Sequence, residues 1–160
     1  MSELLAELRA KWDEALASGT SHRQWRAIGL STVSPVKLLA GIRDRDGRIS
    51  ILIETALRYA PKQRVRFQAE GISLFDERSS AEGLLRLAVT LERADLHDIF
   101  EVLVLDLLSV ASSAPSPDLA IQQTIRRLEA WQVCLHVRRR GLAREEKWSG
   151  CSANWRPWSL

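Results

Sequence analysis

The residues best able to do chemistry in this chain spell Pro117-Asp118 and, well downstream, Glu145-x-Lys147. An Asp and a Glu converging on a divalent cation, with a lysine beside the attacked phosphate, would cleave a phosphodiester. A hard cation wants clustered oxygens, and the charge that develops wants a positive neighbour. The spacing opposes that use. Pro117 and Asp118 open a helical stretch that runs to Arg140, so a continuous helix would hold the carboxylates more than ~30 Å apart. The expectation is therefore no catalytic residue and no metal ligand in this chain. Cys134 and His136 stand two apart on the same helix and face different ways, while His22 and His97 are scattered. Asp44-Arg45-Asp46-Gly47 lacks the ligand spacing and terminal Glu of a calcium loop and reads as a turn. No glycine-rich phosphate loop and no Gly-x-Ser-x-Gly elbow occur.

The other chemistry on offer is cationic. Arg126, Arg127, Arg138, Arg139, Arg140 and Arg144 face only Glu129 until Glu145 is reached, so the basic excess of a chain whose net charge is only +3 gathers in one late segment. Two readings stay open. Arginines near the negative end of a helix complement its dipole and keep the surface soluble. The same residues along one helix could neutralise nucleic-acid phosphates without reading sequence.

The elements that must position these residues follow from periodicity. The 160 residues, 46% hydrophobic and 27% charged, suit one ordinary domain. A chain of this length buries roughly 70% of the surface it exposes when unfolded, enough for a core without metal or disulfide staples. Ser2 can cap a first helix with Leu5, Leu8, Trp12, Ala15 and Leu16 on one side and Gly19 at its stop. Residues 36–42 and 48–53 form a hairpin around Asp46-Gly47. A third strand is expected over 65–76, bent at Gly71, and a fourth over 84–91, where Leu85, Leu87, Val89 and Leu91 share a side. Asp95 is read as the cap of a helix apolar on two sides, with Leu103 and Leu107 in its main stripe. Ser116 and Pro117 start a last helix reaching Arg140. The fold expected is α+β: an N-terminal helix, an antiparallel meander of about four strands, and two C-terminal helices packed on it.

The order of these elements, the Asp95-Leu96-His97-Asp98-Ile99-Phe100 helix start, and Ile125-Arg126-Arg127-Leu128-Glu129-Ala130-Trp131-Gln132 leading to Gly141-Leu142-Ala143-Arg144-Glu145-Glu146 resemble the N-terminal part of the PD-(D/E)XK family, bacterial nuclease-like proteins of restriction and phage-defence neighbourhoods. The resemblance implies an accessory domain over residues 1–146, with DNA and other restriction or defence proteins as partners. It also implies a divalent metal only for a nuclease core that follows, leaving this chain without a cofactor and without catalytic activity. From Lys147 the text departs from the family pattern. Residues 147–160 hold three of the six Trp with no period, and a shifted reading frame can restore the Gly-Glu-Leu helix that the family places there, so the expectation is an aberrant, truncated or frameshifted tail. The alternative from another class is a stand-alone protein-interaction module, with the Trp-rich tail or the apolar central helix as its surface. No apolar run reaches the ~18 residues of a membrane span and no secretory leader opens the chain, so no membrane partner and a cytoplasmic place are expected. There Cys134 and Cys151 would be free thiols.

Overall fold

In the computed structural model the described residues are 2–18 and 21–140. The tail of 147–160, the boundary at 146 and Arg144 lie outside them.

Helix α1 (Ser2–Ser18) buries Leu8, Trp12 and Ala15, which recur at helical spacing, and leaves Leu16 on its flank half exposed. Trp12 stacks on Phe100 with ring centroids 6.1 Å apart, and its indole N–H donates to the Ser50 carbonyl at 2.8 Å. One side chain thus fastens α1 to both the sheet and the second helix.

The expected α+β fold is present, with a larger sheet. Seven antiparallel strands, β1 (Ser21–His22), β2 (Trp25–Gly29), β3 (Lys37–Arg43), β4 (Ile49–Ala56), β5 (Gln68–Ala69), β6 (Ile72–Ser79) and β7 (Leu84–Leu91), lie in the order β1-β2-β3-β4-β7-β6-β5. The hairpin of β3 and β4 turns at Gly47, whose φ of 71° needs a residue without a Cβ. A simple meander would place the next strand beside β4. Instead β7 takes that central place, and β6 and β5 run outward from it. Composition explains the choice: all but the first residue of β7 are buried, whereas β6 carries Asp76, Glu77 and Arg78 and suits a position nearer the edge. The expected single strand over 65–76 is two. Gly71, at φ 86°, reverses the chain between β5 and β6, and a Cβ there would lie 2.4 Å from Leu96.

Residue alternation divides the sheet into two faces. Leu38, Ile53 and Leu87 form one cross-strand row, Ala40, Ile51 and Val89 the next, and this face packs under the helices. The opposite face holds a small second core of Trp25, Leu39, Leu52 and Ala88. Beside it lies a row of alternating charge, Lys37, Glu54, Arg86 and Glu77, across four neighbouring strands. Arg86 donates to Glu54 at 2.5 Å and to Glu77 at 2.8 Å. At the sheet corners, the Arg23 side chain in the β1–β2 turn reaches Glu82 in the β6–β7 turn at 3.0 Å and the Ser79 hydroxyl at the end of β6 at 3.0 Å. The twist of the sheet therefore brings two diagonal corners together over this face.

After a 3-10 turn (Ala94–Leu96), α2 (His97–Ser113) runs beneath α3 (Pro117–Arg140). Asp95 does not cap α2, which has no side-chain cap; its carboxylate binds Arg93 within the preceding turn. Ser116 does cap α3, accepting the Leu119 N–H at 3.3 Å. Phe100, Leu103, Val104, Leu107 and Leu108 are fully buried, as expected for a helix covered on two sides, although Val102 is exposed. Cys134 is buried on α3, and Cys151, the other half of the expectation of free thiols, lies outside the described residues.

Candidate nucleic-acid interface

Arg126, Arg127, Arg138, Arg139 and Arg140 all lie on α3. Arg126 is exposed, and among the described residues it forms no ion pair. Arg127 turns inward. It donates at 2.6 Å to Asp106, whose other oxygen takes the Trp131 indole N–H at 2.8 Å, and only 10% of its side chain is exposed. This pair ties α3 to α2 and leaves the guanidinium little to offer a phosphate. The side chains of Arg138, Arg139 and Arg140 lie outside the described residues.

Beside α3 runs an extended segment that connects the 3-10 turn Leu57–Tyr59 to β5. Its exposure alternates: Arg64, Arg66 and Gln68 face outward while Val65, Phe67 and Ala69 pack on the core. The segment is fastened from below. Asp76 accepts the Val65 N–H at 2.8 Å, Arg78 donates to the carbonyls of Pro61 and Gln63 at 2.8 and 3.1 Å, and Gln132 of α3 accepts the Gln68 N–H at 2.9 Å. Between segment and helix lies a groove of about 760 Å³, walled by Pro61, Gln63, Arg64, Val65 and Arg66 on one side and by Ile125 and Glu129 on the other. Arg126 stands one turn before Glu129 on the same helix face. Periodicity reading finds the helix arginines but passes over Lys62, Arg64 and Arg66. Their signal is the alternation Arg64-Val65-Arg66-Phe67-Gln68-Ala69, which the strand reading absorbs as sheet.

The buried carboxylates of the sheet and of α2 are matched with cations. His97, Asp98 and Glu101 bring ligand atoms within 4.8 Å of one another. However, Arg9 binds Glu101 in bidentate fashion at 2.7 and 2.8 Å, and this hydrogen bonding holds the buried Glu101 carboxyl below its ordinary range. Arg43 likewise joins Asp46 and Glu92; its hydrogen bonds lower both carboxyls, Asp46 to about 2. Arg86 sits between Glu54 and Glu77, and Arg78 on Asp76. In each group a guanidinium fills the place where a divalent cation would need free oxygens. These arginine-bound carboxylates are therefore poor divalent-cation ligands as they stand. Asp118, in the first turn of α3, is met by the Gln122 amide at 3.3 Å; Glu145 and Lys147 lie outside the described residues.

Among the described residues no helix is long and apolar enough to cross a membrane. No curated protein and no solved structure matches the chain. A family model described as "Putative PD-(D/E)XK family member (DUF4420)" matches residues 8–148, from the middle of α1 past the end of α3. That match spans most of the sequence, and the chain belongs to this PD-(D/E)XK family.

Proposed function

We propose that this chain is the N-terminal accessory domain of a nuclease-like protein of a restriction or phage-defence system, contacting DNA with the basic side of α3 and leaving bond cleavage to a catalytic core that it does not contain. The observation that supports this reading is the matching of acids with arginines. Glu101, Glu92, Asp46, Asp76, Glu54 and Glu77 each accept from a guanidinium, which leaves them little freedom to gather a metal, while Arg126 remains open to an anion. Such a domain supplies sequence-independent phosphate contacts, and the metal would be bound by carboxylates elsewhere in the protein.

The test is a pair of measurements on the purified chain. Supercoiled plasmid incubated with magnesium or manganese should stay intact, and labelled duplex DNA should bind with an affinity that falls steeply as salt rises. Cleavage that disappears in Asp118→Ala would overturn the absence of catalysis. Failure to bind DNA at low salt would overturn the accessory role.

A further inference from the structure

Resting on the reading of this domain as a DNA-contacting module, we infer that the groove between residues 61–66 and α3 is a track for the phosphate backbone of duplex nucleic acid, with Lys62, Arg66 and Arg126 as its phosphate contacts.

The distribution of charge carries this. Most arginines whose side chains are described pair with a carboxylate, among them Arg9 with Glu101, Arg23 with Glu82, Arg26 with Asp44, Arg43 with Glu92 and Arg93 with Asp95. Among the described cations, Lys37, Arg58, Lys62, Arg66 and Arg126 form no ion pair. Lys37 stands apart at the start of β3. Of the others, Arg66 lines the groove, Lys62 and Arg126 each adjoin lining residues in the chain, and Arg58 precedes the segment, laid over Tyr59. A surface that neutralises its cations so thoroughly elsewhere has left a cluster of them unmatched in one place. Arg64 is half committed, donating to the Asp76 carbonyl at 2.5 Å with its side chain still 63% exposed.

The geometry selects the ligand. Outward residues two apart on an extended segment are spaced by roughly 6.6 Å, so Arg64 and Arg66 stand in a line, with Lys62 at the bend that precedes them. Their backbone is pinned to Asp76, Arg78 and Gln132, so little ordering is left for binding to impose. A linear, pre-built row of cations fits a repeating anion. The groove walls contain no aromatic ring, hence no platform on which unstacked bases could lie, and this favours a duplex over a single strand. A docked acidic peptide would want an apolar anchor pocket, and Ile125 and Val65 offer only a shallow floor.

The experiment compares the intact chain with Lys62→Gln/Arg66→Gln by fluorescence anisotropy, on two labelled duplexes of unrelated sequence and on one of their single strands, across a salt series. The expected result is tighter binding to duplex than to single strand. In the variant the log–log salt slope should shrink by about 2 on both duplexes alike. Melting by circular dichroism confirms folding, and each single substitution is measured should the pair fail to fold. A variant that binds DNA with unchanged affinity and slope overturns the groove while leaving the α3 reading intact. A wild-type chain that binds no DNA overturns both. Single strand bound as tightly as duplex overturns the choice of ligand, as does displacement of duplex by polyglutamate at equal charge.

Discussion

The two faces of the sheet solve the same burial problem with different chemistry. Under the helices, rows such as Leu38, Ile53 and Leu87 meet Phe100, Leu103 and Leu107, and nearly all contacts are apolar. Among the described residues the opposite face has no helical cover. It buries only Trp25, Leu39, Leu52 and Ala88 as a core and fills the rest with Glu54, Arg86 and Glu77, closed at the corners by Arg23 and Glu82. Apolar packing tolerates some loss of shape, whereas a buried ionic row works only when complete, because each member left alone keeps a charge out of water.

That difference gives the largest expected effect. Arg86→Ala would strand the buried Glu54 and the half-buried Glu77 and should destabilise by about 3–5 kcal/mol, read as a fall in the urea midpoint. Replacing Glu54, Arg86 and Glu77 together by apolar residues of similar volume should cost far less. A triple variant as unstable as the single one would break the comparison. On the helix-covered face, Leu103→Ala and Leu107→Ala should each cost about 2–5 kcal/mol, a cavity effect without electrostatic origin and therefore insensitive to salt. Midpoints that hardly move would show that α2 is not the centre of that core.

The smallest effect is acid titration. The Glu101, Glu92 and Asp46 carboxyls are held below their ordinary range, chiefly by hydrogen bonds from Arg9 and Arg43. Depressed folded values add stability that is present above the unfolded carboxylate range and disappears as pH falls through the folded ones. The urea midpoint should therefore stay level from neutrality to about pH 5 and decline toward about 2, the Asp46 value. In Arg43→Gln the decline should be shallower. An equally steep decline would assign acid loss to other groups.

Much of this arrangement is legible in the sequence, and the misses have physical causes. The β3–β4 hairpin announces itself through Asp46-Gly47, β7 through Leu85, Leu87, Val89 and Leu91 on one side, and α3 through Ser116-Pro117. The β1–β2 hairpin is silent because its turn places Arg23 and Gln24 at φ 48° and 69°, where glycine or asparagine is the usual signal. The central place of β7 is a tertiary choice that no local pattern encodes. Among the arginines, sequence marks the cluster on α3 but cannot separate Arg126, open to solvent, from its neighbour Arg127, spent on Asp106. That distinction depends on a partner 21 positions away.

The shortness of the outermost strands has a consequence for assembly. β1 and β5 are two residues each, and the flank of β6 beyond β5 is overlaid by the segment tied to Asp76 and Arg78. A visiting strand from another molecule would find no long ladder of free amides and carbonyls at either border. Association by sheet extension, the usual route from an open β-sheet to fibres, is thereby disfavoured. At these two borders, contact with a partner falls to side chains.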